Sequence, residues 1–233
     1  MQLMNNFFST FKYIATRPKF AFQQLDNNSA KGWQPLLLIL LTINLFWFGY
    51  FNYIDLDWLH QQQLNLYASN VSPAEVEQLK VALPNGEAVK NSIMLTSTLF
   101  LLFHGLLLAT ILNVLTKLDE ENVDGFTDWL SRSWWTMLPL VPQLLLALLV
   151  LYGMGSDKVM YQDLFITSLN KLLELEQGHM FYVFAEGFDV FSIWSYILLF
   201  YLVATKTKLA TSTCLTISLV PLVVEIAISY LMS

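Results

Sequence analysis

The sequence predicts an all-α polytopic membrane protein, a five-helix transmembrane bundle with amphipathic surface helices. Three observations lead to this fold class: 55% of the 233 residues are apolar, only 13% are charged, and several uncharged stretches are long enough to cross a bilayer. An ordinary soluble domain carries about 25% charged residues, and a soluble chain of this size has too little interior to bury so much apolar surface. The composition also excludes a disordered chain, and a single cysteine, Cys214, excludes a disulfide-rich secreted domain.

Five segments of the chain are expected to cross the membrane as helices. Crossing a hydrocarbon core of roughly 30 Å takes about 20 mostly apolar residues. Four of the five segments reach this length readily. The remaining one, which is the fourth in chain order, does so only if Phe188 and Asp189 form its first, interfacial turn. The predicted spans are 32–54, 92–116, 133–154, 188–205 and 209–232, so that residues 1–31 form a cytoplasmic amino-terminal segment and residues 32–233 the bundle.

The distribution of lysine and arginine over the connecting segments indicates the orientation. Short cytoplasmic loops carry an excess of these residues. With a cytoplasmic amino terminus, eight of them lie inside and four outside. We therefore expect the amino terminus inside and the carboxyl terminus outside. The inner group is Lys12, Arg17, Lys19, Lys31, Lys117, Arg132, Lys206 and Lys208, and the outer group is Lys80, Lys90, Lys158 and Lys171.

Several segments outside the spans have the pattern of amphipathic surface helices. Residues 4–16 place apolar side chains near one helical face, and Pro18 then opens a short helix that extends to Leu25. This amino-terminal pair is interpreted as an anchor on the inner leaflet, with a docking face for a cytoplasmic partner as the alternative. Residues 126–134 are expected to lie along the membrane, and residues 73–83 and 163–178 are expected to form external helices.

Four polar residues are expected at similar depths in the middle of the bilayer, namely Asn44, His104, Gln143 and Glu225. Each would be costly against lipid, so each should point into the bundle. Helical rise places His104 and Glu225 about 6 Å apart in depth, within side-chain reach if their helices touch. Pro221 lies one turn before Glu225. Two interpretations remain open: hydrogen bonds that hold the helices together, and a ligand or proton site at broken helices.

Several stretches resemble the Yip family of Ypt/Rab-interacting membrane proteins, in its bacterial branch. The strongest is the entry to the fourth span, which presents Asp189, Phe191 and Trp194 at the spacing that the family often shows. The segment 168–173 before it, the Arg17-Pro18 pair and the stretch from Gly125 to Pro139 also fit. The Asp-Leu-Tyr-Gly-Pro motif of the eukaryotic branch is absent, which gives no support to Rab binding or Golgi residence.

The resemblance implies five spans and a cytoplasmic amino terminus, and it points to the bacterial inner membrane. It also implies a role in membrane organisation rather than in catalysis. The sequence lacks the His-Glu-x-x-His, Gly-x-Ser-x-Gly and Cys-x-x-Cys motifs, so we expect no enzymatic activity, metal or cofactor. The net charge of −6 gives no basic surface for nucleic acid.

Two functions remain as hypotheses. The first is a non-enzymatic inner-membrane protein that organises the bilayer or binds lipids, other membrane proteins or further copies of itself. The alternative is a small transporter or channel that uses His104 and Glu225 in the midplane polar layer.

Overall fold

The protein is described by a computed structural model over residues 2–25, 31–68, 86–176 and 178–232. These residues are predominantly helical, and the β-type pairing among them is a single bridge between Ser168 and Asp189. Two 3-10 turns span Thr116–Leu118 and Tyr161–Leu164. The helices are α1 (Gln2–Thr16), α2 (Pro18–Gln24), α3 (Trp33–Tyr53), α4 (Leu56–Ala68), α5 (Gly86–Leu115), α6 (Phe126–Thr136), α7 (Leu140–Gly153), α8 (Leu169–Leu173), α9 (Tyr182–Gly187), α10 (Val190–Lys206) and α11 (Thr211–Met232).

Apolar helical segments run back and forth along the bundle. Four are long and apolar enough to cross a membrane, namely Trp33–Tyr53, Gly86–Leu118, Phe126–Gly153 and Thr211–Leu231, and Val190–Lys206 is a shorter apolar helix. Contacts between loops show the alternation of direction. The N–H of Lys208 donates to the Asp119 carboxylate at one end, and the N–H of Asp55 donates to the Asp157 carbonyl at the other. We call the end where α3 and α11 begin the amino-terminal end, and the other the opposite end.

Two passes differ in form from the predicted spans. Helix α5 begins at Gly86 rather than near residue 92, because a helix satisfies its own backbone and can continue beyond the apolar stretch. The third pass is broken between α6 and α7, where Pro139 precedes the first residue of α7. Pro142 then falls in the first turn of α7, where its missing N–H is not needed. Pro221, by contrast, lies inside α11.

Helix α6 is part of the protein core. The side chains of Trp129, Trp134 and Trp135 are buried, and the helix packs against α3, α5 and α10. The expectation that residues 126–134 lie along the membrane surface is therefore wrong. An aromatic helical face has the same sequence pattern whether protein or lipid covers it, which is why the pattern did not reveal the burial.

The amino-terminal helices are packed onto the bundle. Pro18 stands in the first turn of α2, as the sequence predicted, and α2 packs against α10 with Phe22 fully buried. The ring centroid of Phe7 in α1 lies 5.7 Å from that of Trp135. The apolar faces of α1 and α2 are thus largely covered by the chain itself, while Phe8 and Phe20 remain exposed.

The segment between α7 and α10 is more irregular than predicted. In place of one helix over 163–178, it forms a 3-10 turn and the short helix α8, which ends at Glu174 in a left-handed conformation (φ 50°). The Ser168 hydroxyl accepts a hydrogen bond from the N–H of Lys171 and so starts α8 late. Such local side-chain bonds to the backbone compete with helix continuation. The helix predicted over 73–83 lies outside the described residues.

Gly105 provides a test of how closely α5 and α6 approach. A Cβ atom at this position would lie 2.1 Å from the ring of Trp134, which is itself buried. We expect Gly105→Ala to lower the free energy of unfolding by about 1–3 kcal/mol, because overpacking outweighs the better helix propensity of alanine. Thermal unfolding in detergent measures this. Gly153→Ala is the matched control, since a Cβ there meets nothing within 4 Å. Equal melting temperatures for the two variants would contradict the close approach.

Candidate functional site

The carboxylate of Asp189 is the most fully hydrogen-bonded side chain of the candidate site. One oxygen accepts the backbone N–H groups of Phe191 and Ser192 at 2.9 Å each, which caps α10. The other oxygen accepts the Gln143 amide at 2.8 Å and the Thr167 hydroxyl at 3.1 Å. Asp189 is only 3% exposed. Because an ionised carboxylate offers about four acceptor positions, these donors satisfy it inside the protein.

This carboxylate joins three parts of the chain. Gln143 belongs to α7, Thr167 to the irregular segment before α8, and the two N–H groups to the first turn of α10. The N–H of Leu169 donates to the Phe188 carbonyl at 2.7 Å, which adds a backbone contact at the same place. The cluster is therefore suited to holding the irregular segment against the bundle.

The position of Asp189 also explains why α10 is short. Gln143 lies ten residues before Gly153, the last residue of α7, which corresponds to about 15 Å along that helix. Helix α10 therefore begins well below the end of α7, and the chain between them turns back into the bundle. The rings of Phe165 and Phe46 agree with this, since their centroids lie 5.9 Å apart and Phe46 is well inside α3.

A second polar cluster lies where α5, α10 and α11 meet. The Nε2 atom of His104 is 3.7 Å from Glu225 Oε1, and the Tyr196 hydroxyl donates to Glu225 Oε2 at 2.7 Å. The first distance permits an ion pair when the imidazole is protonated, but it is too long for a hydrogen bond. The side chains of His104 and Glu225 are 29% and 36% exposed.

The structure brings together two of the four residues expected in the midplane polar layer. His104 and Glu225 lie side by side. Gln143 instead contacts Asp189, and Asn44 donates to the Leu40 carbonyl of its own helix at 2.8 Å. Sequence reasoning missed Tyr196, although it follows Asp189 by seven residues, a spacing that places both on one helical face.

Charged contacts fasten the loops at the amino-terminal end. The Arg132 guanidinium donates to both carboxylate oxygens of Asp124, at 2.5 and 3.1 Å. The Lys208 ammonium pairs with Glu121, and this contact raises the pKa of Lys208. Among the residues that the structure describes, no group of three or more His, Cys, Asp or Glu side chains is placed to hold a metal ion.

Apolar helices of spanning length, arranged as a bundle with polar contacts between them, define a polytopic all-α membrane protein. Within that class, residues 12–232 match the family model of the Yip1 domain, and the chain belongs to this family. Searches of the curated proteins and of the solved structures gave no significant match. Of the three residues that carry the resemblance, Asp189 caps α10, Phe191 donates to that cap, and Trp194 packs against the core.

The hydrogen bonds of Asp189 can be tested by two substitutions. We expect Asp189→Ala to lower the free energy of unfolding by about 2–4 kcal/mol, because it removes the cap and leaves buried donors unpaired. Asp189→Asn should cost much less, since an amide still caps the helix and the Gln143 amide can rotate to accept from it. Denaturant unfolding in detergent measures both.

The control for this pair is Asp163→Ala, which removes a half-exposed carboxylate that pairs with Lys171. Exposed ion pairs contribute about 0–1 kcal/mol, so this variant should stay close to wild type. If Asp189→Asn were as damaging as Asp189→Ala, the negative charge rather than the set of hydrogen bonds would hold the segment in place.

Proposed function

We propose that the protein is a non-enzymatic membrane component that organises the bilayer by binding lipids, other membrane proteins or further copies of itself. The observation that carries this proposal is how little the apolar helices cover one another. In the most apolar part of each of the four long spans, only 22–44% of the residues are buried. The remaining surface faces lipid or neighbouring transmembrane helices, so lateral contact is the main interaction that the bundle offers.

Two polar side chains of the described bundle, those of Asp189 and Asn44, support the absence of catalysis in this proposal. The Asp189 carboxylate is engaged by five donors, and Asn44 donates to its own helix. A catalytic carboxylate needs a free position within hydrogen-bond reach of a substrate, which the bonding of Asp189 does not leave. The Yip1 domain family is not known as an enzyme family.

We further propose an orientation and a location. Residues 1–31 lie on the cytoplasmic side, five spans near 32–54, 92–116, 133–154, 188–205 and 209–232 cross the bilayer, and the carboxyl terminus is outside. The excess of lysine and arginine in the inner segments supports this orientation. The resemblance to the bacterial branch supports the bacterial inner membrane.

The second candidate function is a small transporter or channel. It is favoured by the cluster of His104, Glu225 and Tyr196, because ionisable side chains deep in a membrane commonly mark ion or proton pathways. Pro221 adds to this, since it lies one turn before Glu225 and leaves the Ile217 carbonyl without its helical donor.

A flux assay distinguishes the two functions. Purified wild-type protein is reconstituted into liposomes that contain a pH-sensitive dye, and a proton gradient is applied. The first proposal expects decay of the gradient at the rate of protein-free liposomes, both for wild type and for Glu225→Gln. A faster decay that Glu225→Gln abolishes would contradict it and favour the transporter.

The proposed binding of lipids, other membrane proteins or further copies is tested by native mass spectrometry of the protein released from its own membrane. We expect complexes that retain lipid, another membrane protein or a second copy. Release of bare monomers under conditions that preserve a known membrane complex would contradict the proposed binding role.

A further inference from the structure

We propose that the corner between α1 and α2 binds the headgroups of anionic phospholipids. Its residues are Phe8 and Lys12 on α1, Arg17 between the helices, and Lys19 and Phe20 on α2, and we call these five the basic corner. The inference rests on the proposed binding role and specifies one partner for it, a bilayer surface that carries anionic lipid.

The first argument is the local charge. Residues 2–25 include Lys12, Arg17 and Lys19 but no aspartate or glutamate, whereas the whole chain has 18 acidic and 12 basic residues. Lys12 lies about 6 Å along α1 from Thr16, the last residue of that helix, and Arg17 and Lys19 follow at once. These separations are comparable with the Debye length of about 8 Å at physiological salt. A negatively charged surface next to the corner is therefore attracted by the three cations together.

The second argument is that the cations of the corner are available. All three are exposed, and none forms an ion pair with a residue that the structure describes. Carboxylates at the same end of the bundle have cations of their own, since Arg132 pairs with Asp124 and Lys208 with Glu121. The positive charge of the corner is thus left for a partner outside the chain.

The third argument is that α1 and α2 lie against the spanning helices. The ring centroid of Phe7 is 5.7 Å from that of Trp135, which belongs to the apolar span Phe126–Gly153 and lies about 14 Å from its first residue. Helix α2 packs against α10 with Phe22 fully buried. The two helices are therefore held at the level of the bilayer instead of projecting away from it.

The uncovered side of the corner combines aromatic and basic side chains. Phe8 and Phe20 are 60% and 43% exposed. Lys12 follows Phe8 by four residues and so lies on the same face of α1, and Lys19 directly precedes Phe20. The ring centroids of Phe20 and Tyr13 are 5.1 Å apart, which joins the two helices at this place. Rings that enter the acyl boundary beside basic chains that reach the headgroups are typical of helices bound to anionic membranes.

Anionic lipid is the partner that matches both properties of the corner. Zwitterionic lipid covers the exposed rings but supplies no net negative charge, and an acidic protein segment supplies the charge without an apolar phase for the rings. With the proposed orientation, the corner lies at the cytoplasmic leaflet, whose negative surface potential attracts basic segments next to the membrane.

Quenching by spin-labelled lipid tests the proposal and leaves the basic corner intact. A fluorophore is attached to Ala15→Cys in a Cys214→Ala background, because Ala15 is exposed and lies on the same face of α1 as Phe8 and Lys12. The protein is reconstituted in equal amounts of phosphatidylglycerol and phosphatidylcholine, one of which carries a spin label on its acyl chain. We expect labelled phosphatidylglycerol to quench several-fold more than labelled phosphatidylcholine.

The control for the position of the fluorophore is Leu149→Cys, which is 71% exposed on α7. The two labelled lipids should quench there equally. High salt should remove the preference at Ala15→Cys, because screening weakens the attraction between the cations and the headgroups. Equal quenching by the two lipids at Ala15→Cys in low salt would overturn the proposal.

Charge neutralisation shows which residues are responsible. The triple variant Lys12→Gln, Arg17→Gln, Lys19→Gln should lose the preference at Ala15→Cys. These three side chains are exposed, so the variant should fold as wild type does, and thermal unfolding checks this.

The matched control makes the same change of net charge elsewhere, with Lys90→Gln, Lys158→Gln and Lys171→Gln. It should keep the preference at Ala15→Cys. Loss of the preference in both triple variants would assign it to overall charge and overturn the basic corner as its source.

Failure of the basic corner is distinguishable from failure of the proposed function. If quenching shows no preference, but native mass spectrometry shows a protein that wild type retains and the first triple variant loses, the corner docks a protein. The lipid proposal is then wrong and the binding role stands. If quenching shows no preference and wild type is released as a bare monomer, both are wrong.

Discussion

The arrangement of the bundle depends on one buried carboxylate. The Asp189 carboxylate accepts hydrogen bonds from α7, from the irregular segment and from α10. Burying this carboxylate away from water is costly unless these donors are in place. This requirement fixes where the irregular segment enters the bundle and where α10 starts. The segment's non-helical backbone can exist at that depth because protein covers it, which is the condition that membrane-embedded irregular backbone has to meet.

The second polar cluster follows from the first. Once α10 starts at Asp189, helical geometry places Tyr196 about 10 Å further along the same face. Its hydroxyl there reaches Glu225, and so orients the carboxylate beside His104. Helix α10 thus links the buried contacts of Asp189 to the partly exposed pair of His104 and Glu225. A change at Asp189 that shifts α10 would also displace the pair.

Much of the fold was predictable because a membrane simplifies the sequence signal. Long apolar stretches predict the apolar helices, and Pro18 predicts the start of α2. Helical rise along each span placed His104 and Glu225 about 6 Å apart in depth, close enough for their side chains to meet. It carries no information on how each helix is rotated, which is why Gln143 lies against Asp189 instead and Asn44 contacts only its own helix in the described contacts. The burial of α6 could likewise not be predicted, since an aromatic helical face has the same sequence pattern against lipid and against protein.

The contrast between the two clusters bears on specificity. Apolar surface distinguishes poorly between lipid and a neighbouring helix, because lipid tails and apolar side chains are equally apolar. An extended apolar face alone therefore selects no partner. A partly exposed polar pair between two helices can change this, since a partner that covers the pair has to match its charge or leave it unsatisfied. Asp189 is satisfied within the chain and selects nothing outside it, whereas His104 and Glu225 remain partly uncovered. Under the proposed binding role, His104 and Glu225 are therefore the residues that would discriminate among neighbours in the membrane.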